Sequence, residues 1–243
     1  MPPLGVVMLE TRFPRILGDI GNPATFPFPV LYEVVPGASA IRVVHGQAHG
    51  LIDAFIDAGQ HLVDRGAAAI MTSCGFMALH QATLADALPV PVATSSLLQV
   101  SMASKLLPPG KRVGVLTIST ADLAPAQLRA ANAPLDTPVG GLPRQSHFAS
   151  VFLDDGPTLD PQLAETELLA AADELRRRHP EIGALVLECT NMGPYTAALA
   201  RHTGLAVFDV TSLAEWLHEG LVTRHGAGET PSLSAAGKSA SRR

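Results

Sequence analysis

One segment plan occurs twice in this chain, and it restricts the fold more than any other feature. In the second copy the apolar, β-type run Ala184-Leu185-Val186-Leu187 passes through Glu188 into Cys189-Thr190-Asn191. Gly193-Pro194 then opens an alanine-rich helical segment, Tyr195 to His202. In the first copy Ala68-Ala69-Ile70-Met71 runs into Thr72-Ser73-Cys74-Gly75, and a helical pattern follows from Phe76 to Leu88. Val92 lies eighteen residues after Cys74, inside a second strand-like run closed by Thr94-Ser95, and Val207 lies eighteen after Cys189, before Thr211-Ser212. These are the only two cysteines of the chain, 115 residues apart. The repeated order of strand, Cys turn, helix, strand and Thr/Ser turn reads as an internal duplication. Two βα halves related in this way can aim both thiols into one cleft.

Such a turn also carries an electrostatic expectation. A cysteine between a strand end and a helix start faces unpaired backbone N–H groups and the positive end of the helix dipole, which favour thiolate over thiol. Both cysteines are therefore expected to have lowered pKa values.

The remaining chain alternates strand and helix signals. Leu4 to Leu9 reads as a first buried strand that ends at Glu10-Thr11-Arg12. Phe13 to Pro36 has little periodicity and carries five prolines, so it is expected to be a lid or cleft wall, with Val30 to Val35 as a short strand inside it. Ile41 to Val44 reads as another strand and Gln47 to Arg65 as a helix stopped by Gly66. Ser95 to Leu107 is helical, Val113 to Ile118 a strand that begins the second half, and Asp122 to Ala131 a helix. Asn132 to Pro143 reads as a loop with a short strand at most, and Arg144 to Leu153 carries no decisive pattern. Leu163 to Arg178 is a strong helix with three arginines at its end, as the dipole prefers. Ser212 to Thr223 closes the fold, and residues 226–243, rich in Gly, Ser and Ala, are expected to be disordered. Alternation of this kind indicates an α/β protein with parallel sheets, whose ligands bind at the carboxyl ends of the strands. Both cysteines fall at such ends.

Composition removes several function classes. A net charge of −5 gives no electrostatic footprint for nucleic acid, and a single Trp216 gives no stacking platform. No apolar run reaches the roughly 18 residues of a membrane span. The start, Met1 to Met8, lacks the charged region of a signal peptide, so the expected compartment is the cytoplasm, where a structural disulfide is disfavoured. There is no Gly-x-Ser-x-Gly and no Gly-x-Gly-x-x-Gly, and Gly237-Lys238-Ser239 lacks the rest of a phosphate loop. His45 and His49 have the i, i+4 spacing of a metal pair but no third ligand. No metal, cofactor or nucleotide is expected, and a homo-oligomer stays open.

With these residues in place, the chain resembles the aspartate/glutamate racemase superfamily, which also holds hydantoin racemases, maleate isomerases and arylmalonate decarboxylases. Leu185 to Gly193 is similar to the family's hydrophobic strand followed by Cys-Thr, with Glu188 where a small residue usually stands. Glu10-Thr11 stands where amino-acid racemases carry an acid followed by Ser or Thr. The resemblance implies two pseudo-symmetric parallel-sheet lobes with the active site in the cleft between them. Residues 1–97 plus 209–225 would form the first lobe, closed by the C-terminal helix, and residues 98–208 the second. It also implies an isomerase that works without a cofactor.

The residues support that chemistry by themselves. Inverting a carbon next to a carboxylate needs one base to remove the proton and one acid on the opposite face to return it, which a thiolate/thiol pair does symmetrically. Cys74 and Cys189 are the expected catalysts, with Glu10 as a helper acid. Thr72, Ser73, Thr94, Thr190 and Asn191 are expected to bind the substrate carboxylate and the enediolate that develops from it. Thr11 belongs to the same site, and Arg12, with Arg15, can clamp a carboxylate. Glu188 reads as a paired or supporting residue. The expected function is therefore a racemase or isomerase of a small carboxylate-bearing molecule. A decarboxylase of the same fold needs only one thiol, and a redox-sensing or ligand-binding protein would join the thiols in a switchable disulfide.

Overall fold

The computed structural model describes residues 1–225, so the expectation for 226–243 lies outside the described residues. Its core is two four-stranded parallel sheets of the same topology. The first, ordered β2-β1-β3-β4, contains β1 (Leu4–Leu9), β2 (Val30–Val35), β3 (Ala69–Thr72) and β4 (Val92–Ala93). The second, ordered β6-β5-β7-β8, contains β5 (Arg112–Thr117), β6 (Val139–Gly141), β7 (Ile182–Leu187) and β8 (Ala206–Phe208). The central strands β1 and β3 are buried along their whole length, which explains why they read as continuous apolar runs rather than alternating ones. β3 and β7 occupy equivalent places, and each cysteine sits two residues past its strand end.

The helices are α1 (Ala40–Val44), α2 (Ile52–Asp64), α3 (Gln81–Ala87), α4 (Gln99–Leu106), α5 (Pro125–Ala130), α6 (His147–Leu153), α7 (Pro161–Arg178), α8 (Thr196–Thr203) and α9 (Val210–His225). α2 turns Phe55, Ala58, Gly59 and Leu62 inward, the face expected from the spacing. α7 starts where Asp160 accepts from the Gln162 and Leu163 N–H groups, both at 3.0 Å, with Pro161 as its first residue. α9 follows the last strand of the second sheet but packs Val210, Leu213, Ala214 and Leu221 with Leu4, Val6, Met8 and Met71 of the first. Its start is tied to α4 by the Gln99 side chain, whose Nε2 donates to the Asp209 carbonyl at 2.7 Å. Among the described residues no helix is long and apolar enough to cross a membrane.

Several expectations are corrected. Ile41 to Val44 is helix, not strand, because Ser39 caps it by accepting from Arg42 N. The next helix begins at Ile52 rather than at Gln47: Gln47, Ala48 and Gly50 take left-handed backbone conformations that break it. His45 and His49 are thus not on one helix, and His45 pairs with Asp122 at 2.7 Å instead. The undecided stretch before Leu153 is α6, where Ser146 accepts from Ala149 N and the Glu167 carboxylate accepts from His147 N and Phe148 N. The segment after each cysteine opens as a six-residue 3-10 helix, Gly75–His80 or Thr190–Tyr195, before α3 or α8 begins.

The two halves meet at those turns. The Thr190 hydroxyl donates to the Ser73 carbonyl at 2.7 Å, and Ser96 Oγ donates to the Leu187 carbonyl. Gly75 lies so close to Glu188 that a Cβ there would overlap the Glu188 carbonyl oxygen and Oε1. The substitution G75A should therefore destabilise the fold by about 1–3 kcal/mol or more, because the obstacle is backbone rather than a mobile side chain. Urea unfolding of wild type and variant measures it. Equal midpoints would show that the turns separate easily.

Candidate active site

The Cys74 turn is held by the strand ends around it. Ser73 N donates to the Val7 carbonyl at 3.0 Å, and Ser73 Oγ accepts from Leu9 N at 2.9 Å. The Thr72 hydroxyl donates to the Thr94 carbonyl at 2.7 Å, and the Thr94 hydroxyl donates to Gln81 Oε1 at 2.8 Å. The Cys189 turn is anchored by Glu188 N, which donates to the Leu116 carbonyl at 2.8 Å.

Between the turns lies a small cavity of about 20 Å³, room for roughly one water. Cys74 and Cys189 both line it, both are buried and both are free thiols. Ser73, Gly75, Glu188, Thr190 and Asn191 complete the polar side, and Phe13, Ala40, Val44, Phe152 and Leu153 help form the apolar side. Phe13 and Phe152 meet edge to face at 4.8 Å. The backbone leading into Phe13 is fastened to the second half through Asp155, which accepts from Arg12 Nε at 2.9 Å and from Phe13 N at 3.1 Å.

The Pro-rich stretch is a wall of this site, joined to it through a buried carboxylate. Asp19 accepts from Arg15 Nη1 at 2.9 Å and from Asn191 Nδ2 at 2.7 Å, and the Cys189 thiol donates to Asn191 Oδ1 at 3.6 Å. Arg15 also donates to Thr11 Oγ1 at 2.9 Å. Gly18, at φ 98°, packs against the backbone of Gly193 and Pro194, which a side chain at that position would prevent.

Five of the expected site residues line the cavity: Ser73, Cys74, Cys189, Thr190 and Asn191. Thr72 and Thr94 are buried beside it with their hydroxyls engaged in the strand-end bonds. Glu10, Thr11 and Arg12 do not line it. Glu10 is exposed and accepts from Gly37 N at 2.7 Å, and the Arg12 side chain is 82% exposed. Sequence reasoning missed Asp19, Phe13 and Phe152 as site residues, since only the pairing of distant segments brings them there. Among the described residues no group of three metal-ligating side chains is assembled.

The expected lowering of the thiol pKa values is reversed. Burial, and then the charge of Glu188, push Cys74 up to about 12, against the Phe76 N–H and Arg15, which pull it down. Burial and Glu188 push Cys189 well above its ordinary value, with Cys74 and Asp19 adding to them and the Asn191 N–H opposing. A short 3-10 turn offers few aligned peptides, so its N–H groups do not offset the loss of water around a thiolate. Glu188 is fully buried and is pushed up to about 8 by that burial, with the Thr117 hydroxyl bond at 2.8 Å opposing.

No known protein-family profile matches the chain. Its structure aligns with unliganded arylmalonate decarboxylase at a TM-score of 0.57 and 17% identity, covering 96% of this chain and 97% of that one. Glutamate racemase from Francisella tularensis subsp. tularensis SCHU S4, in complex with D-glutamate, aligns at 0.54 and 17%, covering 95% and 84%. The fold is the one these two enzymes share. Within this racemase-type fold the chain is more similar in sequence to a different set of proteins. Dimethylsulfoniopropionate lyase 3 of Emiliania huxleyi is 28% identical over 86% of this chain and 57% of its own length. Dimethylsulfoniopropionate lyase of Durusdinium sp. clade D is 27% identical over 90% and 75%. The chain thus spans little more than half of the first of these relatives.

The buried acid has a measurable signature. From about pH 4.5 to about 8 the unfolded chain ionises Glu188 while the folded protein keeps it neutral, so folding takes up a proton. Its contribution to stability falls as pH rises across that window. The variant E188Q should be less sensitive to pH there than wild type, gaining relative stability towards neutral pH. Denaturant midpoints at both ends of the window test this, and parallel pH profiles would refute a neutral buried acid.

Proposed function

We propose that the chain is an enzyme that moves a proton at a carbon adjacent to a carboxylate, with Cys74 and Cys189 as the proton-transfer groups. The observation that carries this reading is that the only two cysteines, from equivalent strand ends of duplicated halves, line one cavity as free thiols. Two thiols on one small site suit removal of a proton from a weak carbon acid, with the polar turn groups Ser73, Thr190 and Asn191 available to the carboxylate.

The thiols have unequal surroundings, and that divides the work. At Cys74 the Arg15 charge opposes burial, whereas at Cys189 the Asp19 charge adds to burial and the thiol donates to Asn191. Cys74 is the easier to ionise and is the base, and Cys189 is held as the acid. Burial keeps both protonated. Displacement of the Phe13–Phe152 roof by a substrate brings the solvent contact that a thiolate needs.

The sequence relatives, which are named as lyases of dimethylsulfoniopropionate, support elimination as the reaction class. In that compound the carbon next to the carboxylate bears the proton and its neighbour bears the sulfonium. A thiolate takes the proton, the C–H electron pair becomes the C=C bond, and the C–S pair leaves with dimethyl sulfide. One base suffices. The second reading is racemisation, favoured by the matched placement of two thiols in symmetric halves.

Headspace assay of dimethyl sulfide from dimethylsulfoniopropionate, beside deuterium uptake into both enantiomers of aspartate and glutamate in D2O, separates the two. Elimination is expected, lowered about 10²–10⁴-fold by C74A. Inversion without elimination, abolished in both C74A and C189A, would establish the racemase. Full activity of C74A in whichever reaction occurs would overturn the assignment of the base.

A further inference from the structure

Glu188 is a second acid in this site that the thiol chemistry does not use. It lines the cavity beside both cysteines and has no exposed surface. Its Oε2 accepts from the Thr117 hydroxyl at 2.8 Å, and its Oε1 is buried without a hydrogen-bond partner among the described residues. Oε1 lies against Gly75, whose missing side chain is what lets the acid reach the cavity. An unpaired buried oxygen costs about 1–3 kcal/mol, so a fold that keeps one at a cavity wall keeps it for a group that arrives there.

We infer that Glu188 is a neutral carboxylic acid that donates a hydrogen bond from Oε1 to a carboxylate oxygen of the substrate, and strengthens that bond as the enediolate forms. The inference rests on the carboxylate reading above and deepens it. The Thr117 bond makes Oε2 the acceptor and leaves the proton to Oε1. Burial pushes Glu188 up to about 8, which keeps it protonated at neutral pH. The groups that face it are Thr117 on β5, Cys74 and Gly75 on the first turn, and Cys189 beside it. From the Pro-rich loop, Arg15 acts on Cys74 and Asp19 on Cys189. Among the described residues no lysine, arginine or histidine is hydrogen-bonded to Glu188, so its ionisation would leave an uncompensated charge facing the ligand. A neutral acid in an apolar site is a strong donor to a developing oxyanion.

Propionate binding, followed by NMR titration of the purified protein, tests this without turnover. Wild type should bind with constant affinity from about pH 6 to about 7.5, where propionate is ionised and Glu188 is not, and lose about tenfold per pH unit above about pH 8, as the acid ionises. E188Q keeps a donor of the same shape, so it should still bind and should lack that alkaline loss. E188L fills the same space without a donor and should bind at least about tenfold more weakly at neutral pH. Infrared spectra should show a protonated carboxyl band in wild type at neutral pH that E188Q lacks. Affinity of E188L equal to wild type, an alkaline loss that persists in E188Q, no protonated band, or no propionate binding by wild type would each overturn the assignment. Intact propionate binding with this pH profile but no turnover of any tested substrate would instead count against the proposed reaction and leave Glu188 in place.

Discussion

The structure depends on the contact between two strand-end turns from different sheets. Thr190 reaches across to the Ser73 carbonyl, Ser96 reaches across to Leu187, and the backbone of Gly75 lies against Glu188. These contacts join polar groups that would otherwise be left unpaired at the ends of buried strands. They also place the two cysteines on one cavity. The duplication supplies two like turns, and the contact makes them one site.

Around that contact the chain builds a wall from its least regular segment. The Pro-rich stretch carries Arg15 and Asp19, and Asp19 links it to Asn191 and through Asn191 to the Cys189 thiol. Asp155 holds Arg12 and Phe13 from the other side, and Phe13 meets Phe152 at the cavity the thiols line. Cys74, Cys189 and Glu188 are all buried behind this wall. Burial strengthens every electrostatic interaction inside and raises the cost of any charge formed there.

That cost decides the protonation states. Backbone N–H groups at the turns and Arg15 favour thiolate, while burial and Glu188 oppose it, and the opposition prevails at both cysteines. The same burial keeps Glu188 neutral at physiological pH. Below about pH 8 the carboxyl carries no charge, so desolvation then holds the thiols protonated without it. Three acids thus each retain a proton at neutral pH in one small cavity.

Much of this was legible in the residues, because its signals are local. The buried strands show as apolar runs, α7 as a helical pattern ending in three arginines, and the duplication as two cysteines at matched strand ends. The missed helix α1 had a local signal too, Ser39 before Ala40, but a short run of β-branched residues reads equally as strand. By itself, then, the sequence determined two parallel α/β halves and a Cys turn in each. The tertiary structure alone decided which residues surround those turns. Glu10 and Arg12 turn outward, while Asp19, Phe13 and Phe152 come in from distant segments, and no local pattern records such encounters. It also decided the charge states, since the ionisation of a thiol or a carboxyl depends on the water removed by non-local neighbours, and that overrode the turn geometry from which the sequence alone predicts thiolates.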